Sequence, residues 1–194
     1  MRAGPITLSF ALTLLAVAPA AAQEEEPAPP ADEPPPAAEA QTVEEGQPRY
    51  LAAMENELNA MRVRGARCEA ADPQRARCQF AARGITTGRE FAIRIVYSDR
   101  TDTIYMYVER YLTAPADGQT TDALLRRLME LNWTLLLGKF EWSSTDGEVR
   151  LAMILNTDSN FDRRAFRSAV RGIGQLADRY FNELDRLVRG QPAE

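Results

Sequence analysis

Cys68 and Cys78 are the only thiols in a 194-residue chain that contains no histidine. Without imidazole there is no Ser–His–Asp or Cys–His activation of a nucleophile, and the commonest zinc ligand is missing. Two thiolates are too few for a metal site of their own. They can, however, pair with each other. Asp72-Pro73-Gln74 between them is a strong turn signal. Residues symmetric about Pro73 then face one another, which sets Cys68 opposite Cys78 and Glu69 opposite Arg77, a favourable charge pair. Directly opposed strand residues have Cα atoms about 4.5–5.5 Å apart, within the reach of a disulfide. Two other readings compete: buried free thiols packing as small apolar groups, or a redox switch.

The carboxylates offer less. Asp158, Asn160 and Asp162 have the alternate spacing of a calcium loop, but Arg163 stands where glycine is required and Ala169 occupies the twelfth position. Helix capping explains them better. Asp99 and Asp102 resemble a catalytic pair, yet turn formation accounts for both. Gly84-Ile85-Thr86-Thr87-Gly88 reads as a loop between strands, and no Walker or Rossmann glycine pattern is present. Arg163, Arg167 and Arg171 recur at helical spacing with Arg164 beside them, as a solvated face or a dock for an acidic partner. These patterns predict no catalytic, cofactor-binding or metal-binding residues. The alternative is a hydrolase-type enzyme using carboxylates that lack a distinctive context.

These residues are positioned by elements that the hydrophobic period reveals. Leu51, Met54, Leu58 and Met61 predict a helix over 49–63. The period then changes to two. Strands are expected over 66–71 and 76–82, around Phe91–Tyr97, and around Ile104–Glu109. The last has apolar or aromatic residues on both faces, including Tyr105 and Tyr107, and is expected to be covered on each side. Thr121 or Asp122 should cap a helix whose stripe is Leu124, Leu128, Leu131 and Leu135, widened by Leu125 and Leu136 and ended by Gly138. Lys139–Ser143 and Glu148–Leu155 should be strands joined through Asp146-Gly147. A long helix should start at Ser159 to Asp162 and bury Phe166, Val170, Ile173, Ala177, Tyr180, Leu184 and Leu187. The order α-β-β-β-β-α-β-β-α predicts an α+β domain: an antiparallel sheet with helices packed on one main face.

The rest of the chain is a different material. Residues 1–22 hold Arg2, an apolar run from Ile6 to Val17, Pro19 and Ala20-Ala21-Ala22, the pattern of a signal peptide cut after Ala22. The run is too short to span a bilayer, which needs about 20 apolar residues. Export to the periplasm or beyond is the expectation, and an oxidising compartment favours the disulfide. Residues 23–48 contain seven Pro, eight Asp or Glu and no Lys or Arg. Such a segment cannot bury enough apolar surface to offset its chain entropy and is expected to be a disordered linker. The domain then runs over 49–190, with a short tail at 191–194. The net charge of −5 comes mostly from the linker. A near-neutral domain is not expected to bind nucleic acid, and no later stretch suggests stable membrane insertion.

Leu131-Asn132 through Gly138-Lys139-Phe140, followed by Asp146-Gly147-Glu148-Val149-Arg150-Leu151, resembles the YbjN domain family, over most of residues 49–190. The resemblance implies a fold like the class I type III secretion chaperones, which bind extended segments of partner proteins. It also implies a regulatory rather than catalytic role, with no cofactor and no catalytic residues to carry over. A protein or peptide partner is the corresponding expectation. Its docking surface is placed on the sheet face or a sheet edge around Tyr105 and Tyr107.

Overall fold

The computed structural model describes residues 46–158 and 160–191. The expected signal peptide, all but the last three residues of the expected linker, Ser159 and residues 192–194 lie outside the described residues. Pro48 is buried and its carbonyl accepts the Leu51 N–H at 3.1 Å, so packing begins just before Arg49.

The elements are α1 (Leu51–Ala60), β1 (Arg67–Asp72), β2 (Arg75–Arg83), β3 (Glu90–Ser98), β4 (Thr103–Thr113), α2 (Thr121–Thr134), β5 (Lys139–Trp142), β6 (Glu148–Asn156) and α3 (Arg163–Val188). This is the order the period changes predict. All six strands form one antiparallel sheet in the spatial order β1-β2-β3-β4-β6-β5. The β1–β2 turn falls on Pro73-Gln74, and the register sets Cys68 opposite Cys78 and Glu69 opposite Arg77. The two cysteines form a disulfide.

All three helices cover one side of the sheet. α1 rests on β1 and β2, α2 on β5 and α3, and α3 crosses β2, β4 and β6. Alternation along the strands therefore sorts residues into a covered and an open face. On the covered face Cys78, Ile95, Met106 and Met153 lie side by side across four strands, all buried. The disulfide thus joins the core row rather than the open face. Ile173 and Leu184 of α3 are wholly buried against this side, each worth about 1.5–3 kcal/mol of transfer free energy.

Two charged contacts tie the helices down. Glu57 of α1 is 4% exposed and meets Arg163 at 3.7 Å and Arg167 of α3 more closely. Arg163 and Arg167 are therefore a clamp on a buried carboxylate, not the free basic face expected from their spacing; Arg164 and Arg171 remain exposed. On the same helix, buried Asp178 accepts the Thr86 N–H at 2.8 Å, the Thr87 N–H at 2.9 Å and the Thr87 hydroxyl at 2.7 Å. Burial pushes the Asp178 carboxyl up, but these hydrogen bonds outweigh it and hold it at about 2. A Cβ on Gly84 would lie 2.1 Å from the Asp178 carboxylate, so only glycine lets the loop close over it.

Local expectations fail at three places. Strand β4 continues past Glu109 because Arg110 takes φ +46° and the register with β6 shifts between Val108 and Leu112, a bulge that turns Tyr111 and Leu112 inward. Thr121 does not cap α2; its hydroxyl donates to the Pro115 carbonyl at 2.7 Å, and Thr120 occupies the cap position. In α3 the cap is Asp162, which accepts the Ala165 N–H at 2.9 Å, so the helix starts after it.

The open sheet face and its unpaired edge

The open face is read most easily as rows across the strands. One row runs Glu69, Arg77, Val96, Tyr105, Ile154; the next runs Arg67, Gln79, Arg94, Tyr107, Ala152, Lys139. Tyr105 and Tyr107 sit at the centre, on the uncovered side. The expectation that β4 is covered on both faces is therefore wrong: both rings are half-buried by their neighbours, and no helix lies over them.

Those neighbours hold the rings firmly. The two tyrosines lie 5.2 Å apart between ring centroids, and the Arg150 guanidinium stacks 4.7 Å from the Tyr107 centroid. Arg150 is in turn paired with Glu148 at 2.5 Å. The Tyr105 hydroxyl donates to Glu141, whose other oxygen meets Lys139 at 3.1 Å. Burial, reinforced by Glu141, raises the Tyr105 phenol far above its ordinary value, so it stays protonated at neutral pH. Arg94 bridges Glu109 at 2.9 Å and Gln79 at 2.7 Å above a concavity of about 480 Å³. The face is thus a mesh of aromatic and ionic groups that hold one another, in which the buried Arg150 Nε is left without a hydrogen-bond partner.

The carboxylate pair Asp99 and Asp102 anchors the segment that leads into α1 instead. Asp99 accepts the Tyr97 hydroxyl at 2.5 Å and the Arg49 N–H at 3.2 Å, while Arg49 reaches Asp102 at 3.5 Å. Asp158 takes φ +32° at the end of β6. These contacts give both groups turn and anchoring roles.

The edge beyond β6 is different. β5 has four residues and its register with β6 begins at Lys139 opposite Ala152. On its other side β6 stays paired with β4 as far as Asn156 opposite Thr103. Met153 to Asn156 therefore have no strand on the β5 side among the described residues. Helix α2 ends at Thr134, earlier than its leucine stripe suggested, because Leu135 turns extended with ψ 121°. Leu136 is carried out of the expected core, with Leu137 beside it, into a connecting segment, and Gly138, at φ +83°, turns the chain into β5. A Cβ there would be crowded by the Ala152 carbonyl, Leu176 and Met153, each at 3.4 Å.

The result is a cluster of naked apolar side chains: Leu136 is 98% exposed, Trp133 91%, Met129 and Leu137 69%, and Ile154 53%. Leu136, Leu137 and Ile154 line a groove of about 770 Å³ whose far wall is α3, from Ala165 to Tyr180. Isolated exposed apolar residues are ordinary, whereas several within so short a stretch of chain are not. A leucine stripe alone did not reveal it. The signal was a surplus: nine large apolar residues between Leu124 and Leu137 are more than one buried helix face holds.

Among the described residues no helix is long and apolar enough to cross a membrane. Among curated proteins none matches the chain. The YbjN family, described as "Putative bacterial sensory transduction regulator", matches residues 69–186, from the first hairpin to the last turns of α3. That match takes in more than half of the chain, the open face except Arg67, and both walls of the groove, and the chain belongs to the YbjN family.

Proposed function

We propose that this protein is an exported, non-enzymatic regulatory module that works by binding a protein partner. The observation that carries the reading is the exposed apolar set Leu136, Leu137 and Ile154 in the groove beside the unpaired half of β6, with Met129 and Trp133 exposed on the helix that leads into it. Burying such a cluster against a partner contributes roughly 25 cal/mol per Å² of apolar surface. Tyr105 is directly opposite Ile154 in the register, so Tyr105 and Tyr107 flank the same docking surface and supply its polar, aromatic margin. Membership of a family described as regulatory supports the reading. The N-terminal sequence pattern and the Cys68–Cys78 disulfide support export. The adaptor or chaperone-like character suggested by the resemblance to secretion chaperones fits a surface of this kind.

The test compares the two edges of the sheet. A photo-crosslinking residue is placed at Leu136, or at exposed Ala70 on β1, in the chain produced in its own cell envelope. Saturable adducts from position 136, absent from position 70 and abolished by Trp133→Ser, are expected. Equal adducts from both positions overturn the docking surface. Intact-mass measurement of the same material should show a chain starting at Gln23, and a chain retaining Met1 overturns export by cleavage.

A further inference from the structure

The geometry points to the groove beside Met153–Asn156 as a strand-addition site for an extended partner segment with apolar alternate residues and acidic ends. This rests on the protein-binding reading above and gives that partner its chemistry.

The first reason is backbone. In an antiparallel sheet half of a central strand's N–H and C=O groups point to each neighbour. Toward β4, β6 is matched through Asn156; toward β5, it is matched only up to Ala152. Four residues of strand edge are open, about 13 Å at the usual rise, and such an edge is a template for another extended chain. The site lies on the line that β5 would follow if Gly138 did not turn away, so a guest strand would continue an existing pairing.

The second reason is shape. A strand laid there places alternate side chains into the groove between β6 and α3. Its walls are Leu136, Leu137, Met153, Leu155 and Leu176. The α3 wall carries Gly172, where even an added Cβ would touch only Met153, at 3.7 Å, which leaves room for a guest side chain.

The third reason is charge. Among the described residues the only charged one in the groove lining is Arg179, and no carboxylate among them lines it. Arg164 is exposed on α3 next to Ala165, where the α3 wall of the groove begins. Two cations near the ends of an apolar slot favour a segment ending in carboxylates and reject one ending in lysines. A second copy of this chain fits less well, because its own open edge carries no acidic residue over Met153–Asn156 to meet Arg179.

The test uses the mature full chain and short labelled peptides of alternating valine and threonine: one ended by aspartates, one ended by lysines, and one with aspartate ends and N-methylated valines. Anisotropy and amide hydrogen exchange are read together. The aspartate peptide should bind saturably and slow exchange at alternate residues of 153–156. N-methylation, lysine ends, Ser168→Trp and Arg179→Glu should each weaken it at least tenfold. Ala70→Ser, on the exposed far edge of the sheet, should leave it unchanged. Binding that N-methylation does not weaken overturns strand addition while leaving a protein-docking surface in place. Absence of saturable binding up to about 1 mM also overturns it. Protection of 153–156 that depends on protein concentration without peptide would assign the edge to a second copy and overturn the proposal. If position 136 also yields no specific adduct in the envelope, the protein-binding reading itself falls.

Discussion

The two edges of this sheet are managed in opposite ways. At the β1 edge the outer strand has six residues, is tied to β2 by the disulfide, and exposes Arg67, Glu69 and small alanines. Charge, brevity and a covalent staple are the usual means of keeping a strand edge from recruiting another chain. At the other edge β5 is shorter still, yet it covers only part of β6, and the uncovered part is bordered by Trp133, Leu136, Leu137 and Ile154. Brevity aside, neither charge nor a staple protects the uncovered residues Met153–Asn156. An edge that is sealed at one end of a sheet and left apolar at the other separates structural stability from binding, and the two should respond to different substitutions.

The largest expected effect is at the sealed edge. Replacing Cys68 and Cys78 by alanine should lower stability by about 2–3 kcal/mol, since the closed loop is short, and should leave partner crosslinking at Leu136 unchanged. Denaturant unfolding with and without reductant checks it; a loss of crosslinking in the folded variant would erase the distinction between the edges. At the open edge, Trp133→Ser with Leu136→Ser and Leu137→Ser should reduce partner affinity by about thirtyfold, near 2 kcal/mol, with the unfolding midpoint unchanged or slightly raised. A large drop in stability would instead place these residues in the core.

The sealed half should also be the acid-sensitive one. Asp178 holds the loop between β2 and β3, with its carboxyl at about 2 against an ordinary value near 3.8. A carboxyl lowered in the folded state contributes stability that is fully present above its ordinary value and is lost as the pH falls through about 2. The contribution is roughly 2 kcal/mol. Asp178→Asn should lose that stability at neutral pH and flatten the unfolding profile between about pH 4 and pH 2. An unchanged acid profile would show that the loop is held by other contacts. The smallest effect belongs to the junction of the two regions. Tyr105→Phe removes the hydrogen bond to Glu141 and should cost about 1 kcal/mol of stability, with a change in affinity of less than threefold. If affinity falls more than stability does, the phenol contacts the partner directly and the docking surface extends across the open face.

Much of this was legible in the chain because it depends on neighbours in sequence. Symmetry about Pro73 opposes Cys68 and Cys78, although the turn pairs Asp72 with Arg75 and an irregularity between Ala70 and Asp72 is what brings the strands into that register. The alternation in β3 and β4 placed Tyr105 and Tyr107 together on one face, but the apolar character of both faces led to the wrong expectation that a helix would cover them. The leucine-rich stretch after Leu124 misled for a related reason. Periodicity continued through Leu135 and Leu136, but Leu135 left the helix and took its successors into solvent. Likewise the arginine spacing on α3 was read correctly, but its meaning depended on Glu57, which lies far away in the chain.

By itself the sequence determined the fold class, the element order and the disulfide, all of which follow from side-chain period, turn chemistry and local register. The tertiary structure alone decided which face stays open, which arginines are neutralised, and where pairing along β6 stops. Those outcomes depend on how elements distant in sequence meet. The length mismatch between a four-residue β5 and a nine-residue β6 becomes an open edge only when both strands lie in the same sheet.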